Sequence, residues 1–427
     1  MSQIAITTAG EESVDVRPRP MRWLGCVLGS VAVAIAVLAA SRMWWGWRAD
    51  QRLAAAMGDL SREQAKLAAT TRADANSPNA ADLLKRASKL RAGAPASEMI
   101  ELLNTARAAP RIDWQIAAFD FADPRKPSPV PLSARFAERL SDITISALEK
   151  GDEASAIRLW RGRVFMCRAL DAQGDLDWSN LARQMENDTC YQITSHASEL
   201  KLATPELRKE IATLIREILD DPSRRSDAAR TYLAYAQSRA RWRQKRGPTS
   251  LLKWWVNPAY LVEAARAIEL DVQLSAELGE STRQFPARGR PERRQPGLLP
   301  VDQVIQDMPA EPAREAFLGN FFAGLREQRL AGTALAIRLY QLDHQEKLPE
   351  RIEQLAPDYV ASVPLDPFST DGRAVGYRIA DDPFIYTLSR QGRDVVADGS
   401  WTLKNSAYGD WASDGPVRFL RIPKSEE

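Results

Sequence analysis

The run from Trp23 to Ala40, WLGCVLGSVAVAIAVLAA, carries no charged side chain. As an α-helix it is roughly 27 Å long, against about 30 Å for the hydrocarbon core of a bilayer. A helix with no polar face needs apolar surroundings, and that constrains this chain more than any other feature. Trp23 stands at one end of the run and Trp44, Trp45 and Trp47 at the other. Tryptophan favours the headgroup zone because its ring is apolar while its N–H needs a partner. The reading is a single transmembrane helix in an anchor at 23–47, preceded by a tail at 1–22. Two alternatives stay open. A cleaved signal peptide has a shorter apolar region, although Val37-Leu38-Ala39 would serve as its cut site. A buried globular helix is the other, but a polar face is missing. Arg17, Arg19 and Arg22 before the run and Arg42 and Arg48 after it give only a lean towards a cytoplasmic N-terminus. No later segment is long and apolar enough to cross again.

The remainder is ordinary globular sequence. The chain of 427 residues is 44% hydrophobic, enough for a core in two or three domains. Its 58 basic and 56 acidic residues nearly balance, which argues against nucleic acid as a partner. With only two histidines, His196 and His344, a histidine-based metal site is not expected. Residues 48–280 read as an α-helical body of bundled or hairpin-paired helices. Thr204-Pro205-Glu206 supplies an N-cap, a first-turn proline and a first-turn acid. Leu207, Ile211, Leu214, Ile215 and Ile218 then line one face, and Asp220-Asp221-Pro222 ends the helix. A second helix starts near Asp152, with Ile157, Trp160, Val164 and Cys167 on one face. Others are expected over about 227–246 and 260–278. Arg239, Arg241, Arg243, Lys245 and Arg246 precede Leu251-Leu252-Lys253-Trp254-Trp255. The plainer reading is a solvated helix end followed by tryptophans packed into the body; contact with an anionic membrane surface is the alternative. Residues 281–310, rich in proline and arginine, read as a linker.

Cys26 lies in the anchor, and neither Cys167 nor Cys190 belongs to a CxxC pair, so zinc and thioredoxin-like chemistry are unsupported. If the body is exported, Cys167 and Cys190 could form a disulfide. Against that, Cys167 sits on an apolar helix face, where a buried thiol is common.

Residues 311–427 read as a small α+β module. A long helix from Glu311 carries Phe317, Phe321, Leu325, Leu335, Leu339 and Leu342 on one stripe and ends near Lys347. A short helix over Arg351–Leu355 and the loop Val363-Pro364-Leu365-Asp366-Pro367-Phe368 follow, then strands at Ala374–Ile379, Pro383–Leu388 and Val417–Ile422. Ala336-Ile337-Arg338-Leu339-Tyr340, Leu348-Pro349, Pro364 to Phe368, Tyr377-Arg378, Tyr386-Thr387-Leu388-Ser389 and Gly392-Arg393-Asp394 recur in the order of the globular part of the type II secretion major pseudopilin, which this module resembles. The whole chain also resembles a group of bacterial proteins that join an anchor and a helical body to such a module, through Trp254-Trp255-Val256-Asn257-Pro258 and the helix after it. The first resemblance implies a calcium site in the loop after the last motif, where Asp394 and Asp398 would supply part of the oxygens, but Val395-Val396-Ala397 departs from that loop and two solvated acids are the plainer reading. It also has a departure: the anchor holds no acidic residue, and the helical body separates it from the long helix. Assembly into a filament is therefore not expected.

The sequence holds no P-loop, G-x-S-x-G elbow, HExxH or dinucleotide fingerprint, so no enzyme activity is expected. Together these readings describe an interaction or scaffold protein anchored in an inner membrane through 23–47. Its bulk is expected in the periplasm, its partners among other envelope proteins, and no cofactor is expected. An accessory part of a secretion or pilus-like machine and an envelope hydrolase with a cryptic carboxylate site are the alternatives.

Overall fold

The computed structural model of the chain describes residues 22–68, 78–91, 94–109, 112, 114, 132, 134–171, 176–219, 228–234, 236–237, 251–279, 310–369, 371–379, 383–388 and 419–421. The protein is mostly helical. Its long helices are α1 (Arg22–Ala68), α2 (Ala80–Ser88), α3 (Ala96–Ala108), α4 (Ala134–Glu149), α5 (Glu153–Asp171), α6 (Leu176–His196), α7 (Pro205–Leu219), α8 (Leu251–Gly279) and α9 (Ala310–Asp343). Residues 228–234 and 236–237 are also helical. A small antiparallel sheet of β1 (Gly376–Arg378), β2 (Phe384–Tyr386) and β3 (Phe419–Arg421) follows in the order β1-β2-β3.

Helix α1 runs unbroken for 47 residues, about 70 Å, far beyond the apolar run that starts it. Its second half has a different task. Ala49, Leu53, Ala56 and Leu60 are buried and recur at alternating steps of four and three, the spacing of a coiled-coil seam. Leu261, Ala265 and Ile268 of α8, with the partly buried Val272, keep the same spacing across from them. Gly46 lies against the Pro258 ring, and Arg52 pairs with Glu269 at 2.9 Å. Both contacts advance in one direction, so α1 and α8 run parallel. Helix α8 starts at Leu251 rather than near Tyr260, with Pro258 inside it. Packing against α1 overrides the local signal of the proline, which costs a helix one hydrogen bond.

Helix α7 follows its caps. Thr204 Oγ1 accepts from the Leu207 N–H at 3.3 Å, and Ile211, Leu214, Ile215 and Ile218 are buried. At the start of α5, Asp152 Oδ1 accepts from the Ser155 N–H at 3.1 Å. The Glu153 carboxylate takes the backbone N–H groups of Lys201 and Leu202 at 2.6 and 2.9 Å, steadying Leu202 at a φ of 43°. Helix α9 stops at Asp343, one turn before the expected end. Gln345 and Glu346 adopt φ values of 57° and 64°, and the Glu346 N–H returns to the Gln341 carbonyl at 2.7 Å.

Two core clusters hold α2 to α7. One gathers Leu84, Leu103, Trp114, Leu140, Leu159 and Trp178. In the other, Ile157, Trp160, Ile193, Ile211, Leu214 and Ile215 meet Leu335, Leu339, Leu355, Val375 and Ile385. Core formation is therefore continuous from the helices before 281 into α9 and the sheet. Of residues 281–310, read as a linker, 281–309 lie outside the described residues and Ala310 opens α9. Gly332 of α9 marks a close approach, since a Cβ there would stand 2.6 Å from Leu219 of α7. In the sheet Gly376 pairs with Tyr386, whose ring fills the space above the glycine.

Candidate functional site

Every residue from Cys26 to Ser41 is exposed, on all sides of α1. Leu28 and Val33 show 62% and 64% of their surface. Leaving seven large apolar side chains of this stretch in water would cost on the order of 10 kcal/mol, at about 1.5–3 kcal/mol each. Among the described residues, one helix, over Cys26–Lys66, is long and apolar enough to cross a membrane.

At the end of this stretch the surroundings change within two turns. Trp44, Trp45 and Trp47 remain exposed, and the Arg48 guanidinium lies 5.0 Å from the centre of the Trp44 ring. Arg42 is buried and passes over Gly46, its Nη1 lying 2.7 Å from where a Cβ would stand. Any side chain at 46 would displace it. Trp255 of α8 is 41% exposed. The reading that packed it into the body is corrected, because this residue keeps much of its surface exposed.

No family model, curated protein or solved structure matches this chain.

The remaining polar groups of interest are interior. Glu186 of α6 accepts a hydrogen bond from Gln328 of α9, and Arg326 and Glu327 form an ion pair at 3.1 Å with side chains 9% and 5% exposed. The Arg183 guanidinium lies 5.1 Å from the Phe321 ring centre. All of these side chains are buried. The Glu186–Gln328 and Arg183–Phe321 contacts cross from α6 to α9 and suit fixing the register of the two helices. Asp366 is also interior. Its carboxylate accepts the N–H groups of Phe368 and Leu388 at 2.9 and 2.6 Å, tying the proline loop to the strand β2 leaves. Burial raises its pKa above the usual 3.8 despite those two donors. Glu217 shows the opposite balance. Burial works against its ionisation, but Arg161 at 2.7 Å and Arg107 at 2.8 Å outweigh it and hold the pKa below 4.5.

Asp394 and Asp398, the calcium candidates, lie outside the described residues. Among the described residues no three His, Cys, Asp or Glu side chains gather in a way that could hold a metal ion. Cys167 and Cys190 are buried thiols rather than a bridge, Cys167 with Leu159, Met166 and Trp178, and Cys190 in the other cluster with Ile193 and Ile211. Sequence reasoning missed the Arg52–Glu269 pair and the Glu186–Gln328 contact, because partners so far apart in the chain leave no local pattern.

Proposed function

We propose that the chain is a single-pass membrane protein of the bacterial cell envelope and acts as an interaction scaffold, without catalysis of its own. The observation that carries this reading is the wholly exposed apolar half of α1, which passes without a break into a half clamped to the body. A bilayer around residues 23–47 supplies the apolar surroundings this half needs. The bundled helices of the body then offer their outer faces to other envelope proteins from a fixed position. The bulk of the chain lies on the periplasmic side of the inner membrane.

Two measurements on the full chain in cells test it. The protein should stay in the membrane pellet through an alkaline carbonate wash and leave it in detergent; release by carbonate alone would end the anchor reading. A photo-crosslinker at the exposed Tyr191 should recover defined envelope proteins. Turnover of a small molecule by the purified chain, with no such crosslink, would overturn the scaffold reading.

One contact favours a second reading, an accessory component of a type II secretion or pilus-like machine. The Tyr377 hydroxyl donates to the Pro349 carbonyl at 2.7 Å, joining two segments that carry the pseudopilin resemblance. Crosslinks to pseudopilins are expected on this reading, and their absence from the recovered set would dismiss it.

A further inference from the structure

Helix α8 brings a second piece of chain to the depth at which the anchor leaves the membrane. Gly46 lies against Pro258, and the Arg52–Glu269 pair fixes the direction. Counting back from Gly46 and Pro258 at the same rise on both helices puts Trp255 level with Met43, and Leu251 near the end of the apolar run. Met43, Trp44, Trp45 and Trp47 are exposed at this level, as is Trp255 on the other helix. The four α1 residues span roughly 6 Å along the axis at 1.5 Å per residue. At about 100° per residue the three α1 tryptophans point to different sides of the helix, away from the face on which Gly46 receives α8.

Large aromatic side chains exposed in one thin layer, immediately beside an apolar span, match the headgroup zone of a bilayer. There the ring is half in hydrocarbon and the indole N–H meets water or lipid oxygens. We propose that the N-terminal end of α8 is a second membrane contact, with Trp255 seated in the lipid headgroup layer beside the Trp44–Trp47 belt. The inference rests on the anchor reading and adds a consequence to it. A single spanning helix lets a body swivel and tilt on the bilayer. A second contact on a helix clamped parallel to the first removes that freedom and presents one face of the body outward. The occupant is lipid rather than protein because the same layer continues directly into the fully exposed apolar stretch ending at Ser41.

The test uses the full chain in phosphatidylcholine–phosphatidylglycerol proteoliposomes, with Cys26 replaced by serine. Cys167 and Cys190 are buried and do not compete for label in the folded protein. An environment-sensitive fluorophore is attached through Val33→Cys, Trp255→Cys or Arg62→Cys in separate preparations. Lipids spin-labelled at the headgroup or deep in the acyl chain, and aqueous iodide, serve as quenchers. The Val33 probe should lose its fluorescence to the deep label and the Arg62 probe to iodide alone. The Trp255 probe should lose most of its fluorescence to the headgroup label, with a blue-shifted emission. If the Trp255 probe behaves like the Arg62 probe while the Val33 probe is quenched by lipid, the second contact is refuted and the anchor stands. Shielding of the Trp255 probe from both lipid and iodide would mean that protein covers it, which also refutes the proposal. Failure of lipid to quench the Val33 probe removes the anchor itself.

Discussion

Glu217 and Asp366 are both partly or wholly withdrawn from water, yet their surroundings pull in opposite directions. At Glu217 two guanidinium groups overcome the cost of burial, so the folded pKa lies below 4.5. Its contribution to stability is present above pH 4.5 and is lost as pH falls through the folded pKa. At Asp366 burial wins, so the folded pKa lies above 3.8, and stability declines as pH rises from 3.8 through that value. Glu217→Gln should therefore be less stable than the parent chain at neutral pH and converge with it in acid. Asp366→Asn should gain on the parent as pH rises through the same region. Thermal melts in detergent across this range check both, and parallel curves for either variant would contradict the assigned cause. Neither behaviour is readable from sequence. Asp366 was legible as part of a proline-punctuated loop, but the tertiary structure brings the backbone N–H of Leu388, from beyond β2, to its carboxylate.

At the scale of elements, the chain uses small residues where helices come closest. Gly332 admits the Leu219 side chain, and a methyl group there would overlap it. Gly332→Ala should cost about 1–3 kcal/mol by overpacking. Leu219→Ala should be destabilising by itself, and combined with Gly332→Ala it should cost less than the sum of the two, because each change makes room for the other. Chemical denaturation of the four chains measures that coupling; additive losses would mean that α7 and α9 do not meet at this point. The seam between α1 and α8 follows the same logic, with Ala49, Ala56, Ala264 and Ala265 allowing two long helices to approach closely. The heptad-like spacing on α1 was visible in the sequence once the helix was known to continue. The apolar run drew attention to its first half only.

At the scale of the molecule, the core links segments that the sequence separates. Tyr232 packs with Phe321, Phe322, Phe368 and Leu388, while Leu233 and Ala236 pack on the α1–α8 seam. Residues 228–234 and 236 thus connect the α1–α8 pair to α9, the proline loop and the segment after β2. Helix α9 in turn shares its core with α5 to α7. Removal of residues 310–427 should therefore uncover Ile211, Leu214 and Ile215 and abolish a cooperative melt of what remains. Calorimetry of the truncated chain beside the full one decides this. A truncated body that melts with the parent's enthalpy per residue would show that the two parts fold independently.

The sequence by itself determined the local features. The charge-free run, the start of α5, the caps of α7, the stripe of α9 and the strand positions each rest on a few neighbouring residues, so periodicity and side-chain chemistry suffice to read them. Only the tertiary structure decided which surfaces meet. That α1 and α8 run parallel, and that Pro258 lies within a helix packed against Gly46, depend on contacts between residues more than two hundred positions apart. Closing such contacts is governed by the fit of whole helix faces, which no short stretch of chain contains.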